Sequence, residues 1–208
     1  MTTLAMSFAN AIPSEEERPA ALPADADDAT LLRAFRKGRA GAMDLLVSRH
    51  GNALMGYLTA TAGADAARDL WQEAWLRVMK KSGQFTGGSF RAWLFTIARN
   101  LGVDRFRRAP PETSLDAPLD DDGLTLADCI PSSMRAPAAE YELVELRLRA
   151  AACVRKLPPD QREIFLLRVQ GEMTFAEIAK QLRVPLNTAL GRMHYAVTKL
   201  RIMMEEKT

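Results

Sequence analysis

The sequence has 208 residues, of which 48% are hydrophobic, enough for one or two small domains with cores of their own. No stretch approaches the roughly 18 consecutive apolar residues of a membrane span, and the N-terminus lacks a basic start followed by an apolar run, so we expect a cytoplasmic protein. Cys129 and Cys153 lack CxxC spacing, and both histidines lie far from them in sequence. We therefore expect neither a metal site nor a disulfide.

The net charge of +2 conceals strongly segregated blocks. Residues 77–108 carry eight basic groups and one acid, a net of +7, and residues 147–208 carry twelve basic groups and six acids, a net of +6. Between them, residues 109–146 carry one basic group and nine acids, a net of −8. Phosphate attraction falls off within about 8 to 10 Å, so the two blocks indicate two contact points on a polyanion. Solvated helix faces would also account for these charges.

The N-terminal half is expected to be helical after a disordered extension. Residues 1–27 contain three prolines and a run of three glutamates, a composition typical of disorder. Helical periodicity begins at Asp28, which can cap the first helix, and Gly38 can end that helix. The later helices of this half are predicted at about 40–61, 64–81 and 89–107, with a glycine-marked loop over 82–88.

The helix predicted at 89–107 has two faces of different character. One apolar stripe at helical spacing indicates core and contains Phe90, Leu94, Ile97 and Leu101. A neighbouring stripe mixes aromatic, amide and basic side chains and contains Trp93, Thr96, Asn100 and Arg107. The second stripe is the unusual one.

Residues 109–137 predict a flexible acidic and proline-rich linker, because they contain five prolines and the run Asp120-Asp121-Asp122. Such a length favours a domain boundary. Further helices are predicted at about 138–156 and 160–170, with two more after Gly171. No alternating strand pattern is present, so the predicted fold is all-α, with small helical domains at 28–108 and 138–208.

The C-terminal half contains a candidate helix-turn-helix. Thr174 and Glu177 have capping-box spacing, which predicts a helix start, and a turn at Pro185 precedes a long helix opening at Leu186 or Asn187. The major groove of DNA admits one such helix. Arg183 stands where a helix-turn-helix often carries glycine, at a cost of about 1 kcal/mol in a left-handed conformation. A plain αα-hairpin remains the alternative.

From about Asp28 to Met204 the chain resembles the extracytoplasmic-function (ECF) sigma factors, which direct RNA polymerase to promoters. Four motifs occur in the family order. The N-terminal half carries Asp69-Leu70-Trp71-Gln72-Glu73-Ala74-Trp75, similar to "DLxQExF", and Phe90-Arg91-Ala92-Trp93-Leu94-Phe95-Thr96-Ile97-Ala98-Arg99-Asn100, similar to "FRxWLxxIARN". The other two are Asp104 to Arg108, similar to "DxxRR", and Leu157 to Glu163, similar to "LPxxQRE".

The resemblance implies three contact surfaces, two of them in domain 28–108. The clamp of the polymerase large subunit would bind Asp69, Leu70, Gln72 and Glu73. At the minus-ten element, Asn100 and the loop from Phe85 to Ser89 would hold a flipped base, with Trp93 and Phe95 as stacking or wall residues. A strand being melted exposes base faces, which suit aromatic and amide groups beside basic ones. The expected phosphate contacts are Arg91, Arg99, Arg105, Arg107 and Arg108.

The third implied surface reads the minus-thirty-five element from domain 138–208. Its expected residues are Asn187, Thr188, Leu190, Gly191, Arg192, Tyr195 and Lys199, with Arg201 as a further phosphate contact. The sequence departs here from the common pattern "VGTVKSRLxRAR", because Leu190, Gly191 and Tyr195 replace a usual Lys, Ser and Arg. Leucine cannot bond a phosphate or a guanine edge but can touch a thymine methyl.

The expected partners are core RNA polymerase and promoter DNA, both duplex and melted. An anti-sigma factor is also expected, in this family often membrane-anchored, with no cofactor and no small-molecule substrate. An enzyme has little support, because no phosphate loop, metal-ligand cluster or paired nucleophile is present. The competing hypothesis is a helix-turn-helix regulator that binds duplex DNA without polymerase. A scaffold or anti-sigma mimic using only protein contacts is a third, which the basic blocks disfavour.

Overall fold

The computed structural model describes residues 25–39, 41–108 and 138–205, with the side chains of residues 138–143 outside the description. The described residues form helices and turns and contain no strand. This confirms the predicted all-α class. The eight α-helices of the described residues are α1 (Asp28–Arg36), α2 (Gly41–Ala62), α3 (Ala64–Lys81), α4 (Phe90–Arg108), α5 (Ala138–Arg155), α6 (Pro159–Val169), α7 (Phe175–Leu182) and α8 (Leu186–Glu205), and a short 3-10 helix covers Ser82–Gln84. Residues 1–24 of the predicted extension over 1–27, and the whole predicted linker over 109–137, lie outside the described residues.

The start of α1 corrects one prediction. Asp27, not Asp28, is the N-cap, because Asp27 is extended and its carboxylate accepts from the backbone amide of Thr30. Asp28 lies in the first helical turn, where its carboxylate binds Arg49 at 2.7 Å and His50 at 2.8 Å. Because Asp27 and Asp28 are adjacent and either side chain can cap a helix, the sequence pattern alone does not distinguish them. The chain ends α1 as predicted, with Gly38 at a φ of 87°.

Helices α1 to α4 pack around one apolar centre, with α2 against α1 and α3, and α4 against α3 and α2. The predicted core stripe of α4 is confirmed, since Phe90, Leu94, Ile97 and Leu101 are all buried. These side chains meet the buried faces of α2 and α3, which include Leu46, Leu54, Leu58, Ala74 and Val78. Ala92, Phe95 and Ala98 of α4 are buried as well, so apolar packing covers more of this helix than the predicted stripe.

Helices α6, α7 and α8 form the second half, and α5 packs on α8. The capping box at the start of α7 is confirmed: the amide of Glu177 donates to Thr174 Oγ1 at 3.2 Å, and the amide of Thr174 donates to Glu177 Oε2 at 2.7 Å. Arg183 follows α7 with φ 56° and ψ 43°, the left-handed conformation that the turn requires. Helix α8 opens at Leu186, as predicted.

Loss of the capping box should destabilise this half without touching α8. We expect Thr174→Ala to lower the free energy of unfolding by about 1 kcal/mol, because one amide of α7 loses its acceptor. Thr198→Ala is the matched control, since Thr198 is an exposed residue within α8 whose hydroxyl donates only to the His194 carbonyl. Urea denaturation of both variants measures the difference, and equal midpoints would contradict the capping role.

The two halves touch each other directly. Phe95 of α4 is fully buried, and its ring packs at 5.2 Å in a tilted arrangement against that of Tyr57 in α2. Helix α6 lies against α2, and Ile164 and Leu167 of α6 belong to the same buried cluster as Phe95. Burial, reinforced by the nearby Glu163 carboxylate, raises the pKa of Tyr57 far above its ordinary value, so this phenol stays neutral. One continuous core therefore joins both halves.

Candidate nucleic-acid and polymerase interface

Helix α3 presents one polar face to solvent. Asp69, Gln72 and Glu73 are exposed along it, at the spacing of successive helical turns. Glu73 Oε1 accepts from Arg77 Nη2 at 2.8 Å, and Arg77 in turn approaches Asp104 of α4 at 3.9 Å. Leu70 does not share this face, since it is 3% exposed and belongs to the core. This burial contradicts the expected direct contact of Leu70 with polymerase, because the motif does not say which side each residue faces.

Sequence reasoning missed Leu76 on the same surface. Its side chain is 49% exposed, one turn beyond Gln72 and Glu73. A large apolar side chain on a solvated face favours a protein contact. The helical spacing from Gln72 was the signal available in the sequence.

Three aromatic rings form a cluster beside the loop that precedes α4. Phe85 lies 5.4 Å from Trp93 and 6.0 Å from Phe90, and the Phe90 and Trp93 rings are 5.9 Å apart. Phe90 is buried, whereas Phe85 and Trp93 keep partly exposed faces. Phe95 does not join them, because it points into the core at 0% exposure. Its expected role as a wall for a base is therefore corrected.

A cleft of about 280 Å³ adjoins this cluster and was not predicted. It lies between α1 and the loop, and its lining includes Arg33 and Arg36 of α1 together with Phe85, Thr86 and Gly87. The two arginines belong to the first helix, far from the motifs in sequence, so only the tertiary packing brings them to the loop.

The C-terminal end of α4 is an exposed basic surface. Asn100 is exposed one turn after Thr96, and the last turn carries exposed Arg105, Arg107 and Arg108. Cations at a helix C-terminus are favoured by its dipole, so the positive charge can accumulate there without destabilising the helix. Phe106 is also 45% exposed in the same turn.

Arg91 and Arg99 behave differently from the other arginines of α4. Arg91 Nη1 binds Glu172 Oε1 at 2.7 Å, and its Nε donates to the carbonyl of Gln170 at 2.6 Å. Arg99 Nε donates to Glu163 Oε1 at 2.8 Å. Both guanidinium groups are thus occupied by carboxylates of the second half in this arrangement.

Helices α7 and α8 have the geometry of a helix-turn-helix. Ala189 and Ala196 are buried on the inner side of α8, while Asn187, Leu190, Tyr195 and Lys199 are exposed on its outer side. Thr188 and Gly191 are partly exposed. Arg192 Nη2 binds Asp160 Oδ2 of α6 at 2.6 Å. Leu186 and Val197 are also exposed apolar residues of α8.

Gly191 lies inside α8, and no packing contact among the described residues requires glycine there. A Cβ placed there would meet nothing within 4 Å, although an interior helical glycine costs about 1 kcal/mol relative to alanine. We expect Gly191→Ala to raise the thermal unfolding midpoint and to weaken binding to the upstream promoter element, because a methyl group then intrudes where the groove approaches. Gel-shift titration measures binding to the upstream element. Unchanged affinity in the stabilised variant would contradict a close approach of the DNA groove to Gly191.

These surfaces comprise a helix-turn-helix and a separate helix rich in aromatic and arginine residues. The sigma-70 region 2 family matches residues 46–110, and the sigma-70 region 4 family matches residues 147–200. The chain is 30% identical to the ECF RNA polymerase sigma factor SigW of Bacillus subtilis over 142 residues, covering 67% of this chain and 76% of SigW. It is 32% identical to EcfG of Rhodopseudomonas palustris over 148 residues, covering 71% of this chain and 76% of EcfG.

Among solved structures, the sigma factor RpoE of Bartonella quintana, in complex with the anti-sigma factor NepR, shares the fold at 24% identity and a TM-score of 0.57. The match covers 83% of this chain and 98% of that one. The chain belongs to the ECF RNA polymerase sigma factors. Core RNA polymerase and promoter DNA are the partners of this family, whose members are sigma factors rather than enzymes.

Two further observations concern the described ranges alone. Within them, no helix is both long and apolar enough to cross a bilayer. The same residues contain no group of three or more histidines, cysteines or acids arranged to hold a metal ion.

Proposed function

We propose that this sigma factor divides its work among three surfaces, one for polymerase, one for the minus-ten element and one for the minus-thirty-five element. The observation that carries the proposal is the presence, in one chain, of a helix-turn-helix and of a helix that carries an exposed Asn100 and contributes Trp93 to a partly open aromatic cluster. A duplex-binding regulator needs only the first of these features.

The polymerase surface is the exposed face of α3. Asp69, Gln72 and Glu73 supply polar contacts, and Leu76 supplies an apolar centre that becomes buried on binding. Protein interfaces commonly combine an apolar centre with a polar rim, which is the arrangement of these four residues.

The minus-ten surface combines Asn100, the Phe85 and Trp93 rings, and the exposed arginines at the end of α4. A base taken out of the stack needs an aromatic face and hydrogen-bonding groups at its edge. Arg33 and Arg36 across the cleft add positive charge on the other side of the loop, where the backbone of a displaced strand can pass.

The minus-thirty-five surface is the outer face of α8. Asn187 can donate to a base edge, whereas Leu186 and Leu190 offer methyl groups to thymine. Because Arg192 is bound to Asp160, Lys199 and Arg201 carry the phosphate contacts. We infer an upstream element rich in A·T pairs, read with few salt-dependent contacts.

An anti-sigma factor is the proposed regulator. The Bartonella quintana sigma factor, which shares the fold, is found with such a partner. The protein then works in the cytoplasm, where a membrane-anchored anti-sigma factor can hold it, and it contributes no catalytic step of its own: polymerase performs the chemistry.

DNA footprinting tests this division of surfaces. With core polymerase, the factor should protect two promoter regions centred about 25 base pairs apart and make bases of the downstream region reactive to permanganate. Protection of a single duplex site that does not require polymerase would instead favour the helix-turn-helix regulator.

A further inference from the structure

Three side chains of α4 are held by the second half of the chain. Glu172 binds Arg91 and Glu163 binds Arg99, while Thr96 Oγ1 donates to Gln181 Oε1 of α7 at 3.0 Å. These three pairs, referred to below as the interdomain contact, lie along the same helix that carries Asn100. Two of the three α4 residues are arginines expected to hold promoter phosphates.

Close approach of α2 and α6 extends the contact. Arg162 Nη1 of α6 donates to the carbonyl of Ala60 at 3.1 Å. A Cβ at Gly56 would lie only 3.3 Å from the Gln170 side chain, so the absence of a side chain there lets α2 and the end of α6 meet closely. A Cβ at Gly171 would lie 2.6 Å from the Leu167 carbonyl oxygen of α6 and 3.3 Å from the Phe95 ring.

This arrangement cannot read both promoter elements at once. The minus-ten and minus-thirty-five elements are about 25 base pairs apart, or roughly 85 Å along the duplex. Thr96 of the minus-ten helix and Gln181 of the helix-turn-helix are 3.0 Å apart. The halves must therefore separate before both elements can be bound by one chain.

We propose that the interdomain contact holds the free factor in a closed, inactive form, in which Glu163 and Glu172 occupy the arginines that bind phosphates when the factor is open. This inference rests on the proposed function and adds a mode of regulation within the chain itself. Carboxylates and phosphates compete for the same guanidinium geometry, so promoter DNA and the second half exclude each other on α4.

Several features of the interdomain contact oppose its stability and so favour reversible opening. Arg162 Nε, Gln170 Oε1 and Gln181 Nε2 are buried without a hydrogen-bond partner among the described residues. Leaving a buried polar atom without a partner is unfavourable, which opposes the gain from the ion pairs. Glu172 also has a φ of 54°, a backbone conformation that is unfavourable for a non-glycine residue. Exposure to water on opening relieves the unsatisfied groups.

Neutralising the two acids tests the competition. We expect Glu163→Gln/Glu172→Gln to lower, by about tenfold, the factor concentration needed for half-maximal transcription with core polymerase, if roughly a tenth of the wild-type factor is open. The control Glu145→Gln/Glu205→Gln changes the same net charge at exposed positions. A lower half-maximal concentration for Glu163→Gln/Glu172→Gln alone supports the proposal. Equal half-maximal concentrations for the two double variants overturn it.

A reversible lock tests the geometry. In a Cys129→Ser/Cys153→Ser background, Thr96→Cys/Gln181→Cys places two thiols across the contact for a short, reducible bismaleimide. The cross-linked factor should give no promoter-specific transcript, and cleavage of the linker should restore the level of the same variant before cross-linking. Full transcription by the cross-linked form overturns the closed state. Absence of transcripts before any cross-linking, in wild type and variant alike, points instead to failure of the proposed function.

Discussion

The double variant Asp69→Lys/Glu73→Lys is expected to bind core RNA polymerase about 10- to 100-fold more weakly than the wild type, because both reversed charges lie on the exposed face of α3. Asp69 and Glu73 are exposed, so the fold should survive the change, although Glu73 gives up its ion pair with Arg77. Fluorescence anisotropy of labelled factor against core enzyme measures the loss.

The control is Glu145→Lys/Glu205→Lys, which makes the same change in net charge on exposed residues of the second half. Its affinity for polymerase should remain within about twofold of the wild type, as expected for exposed positions outside the interface. If both variants weakened binding equally, net charge rather than the α3 surface would govern the association.

Asn100→Ala is expected to reduce open-complex formation at cognate promoters by about 10- to 100-fold while leaving polymerase binding intact. The amide is exposed at the reading face of α4, so its loss removes hydrogen bonds to an extruded base that nothing else replaces. Permanganate reactivity of the melted region, followed in time, measures the effect.

Asn52→Ala is the matched control for this substitution, since Asn52 is an exposed helical asparagine on α2. It should melt promoters at the wild-type rate. A premelted promoter bubble should partly restore Asn100→Ala, because the energy of unpairing is then already supplied. Failure of Asn100→Ala at the polymerase-binding step would show that α3 and α4 do not act separately.

Local signals predicted the helices well. Gly38, the capping box at Thr174 and the apolar stripe of α4 each act over a few residues, so a single stretch of sequence contains the information. The cap of α1 was wrong by one residue, because Asp27 and Asp28 have the same side chain and only the backbone conformation distinguishes them.

The sites were less predictable, because a motif does not specify orientation. Leu70 and Phe95 sit within recognisable motifs but face the core, while Leu76 lies just outside its motif and faces solvent. The pairs Arg91 with Glu172 and Arg99 with Glu163 join residues 81 and 64 positions apart, which no local pattern reports. Only packing of the two halves brings them together.

Run-off transcription by core polymerase, with and without the factor, tests the central claim most directly. On a pool of genomic promoters, the account predicts new transcripts that start at discrete promoters only when the factor is present. They should disappear with Asp69→Lys/Glu73→Lys but persist with Glu145→Lys/Glu205→Lys. The absence of factor-dependent transcripts from folded protein, including the Glu163→Gln/Glu172→Gln form, under conditions where a control sigma factor is active, would contradict it.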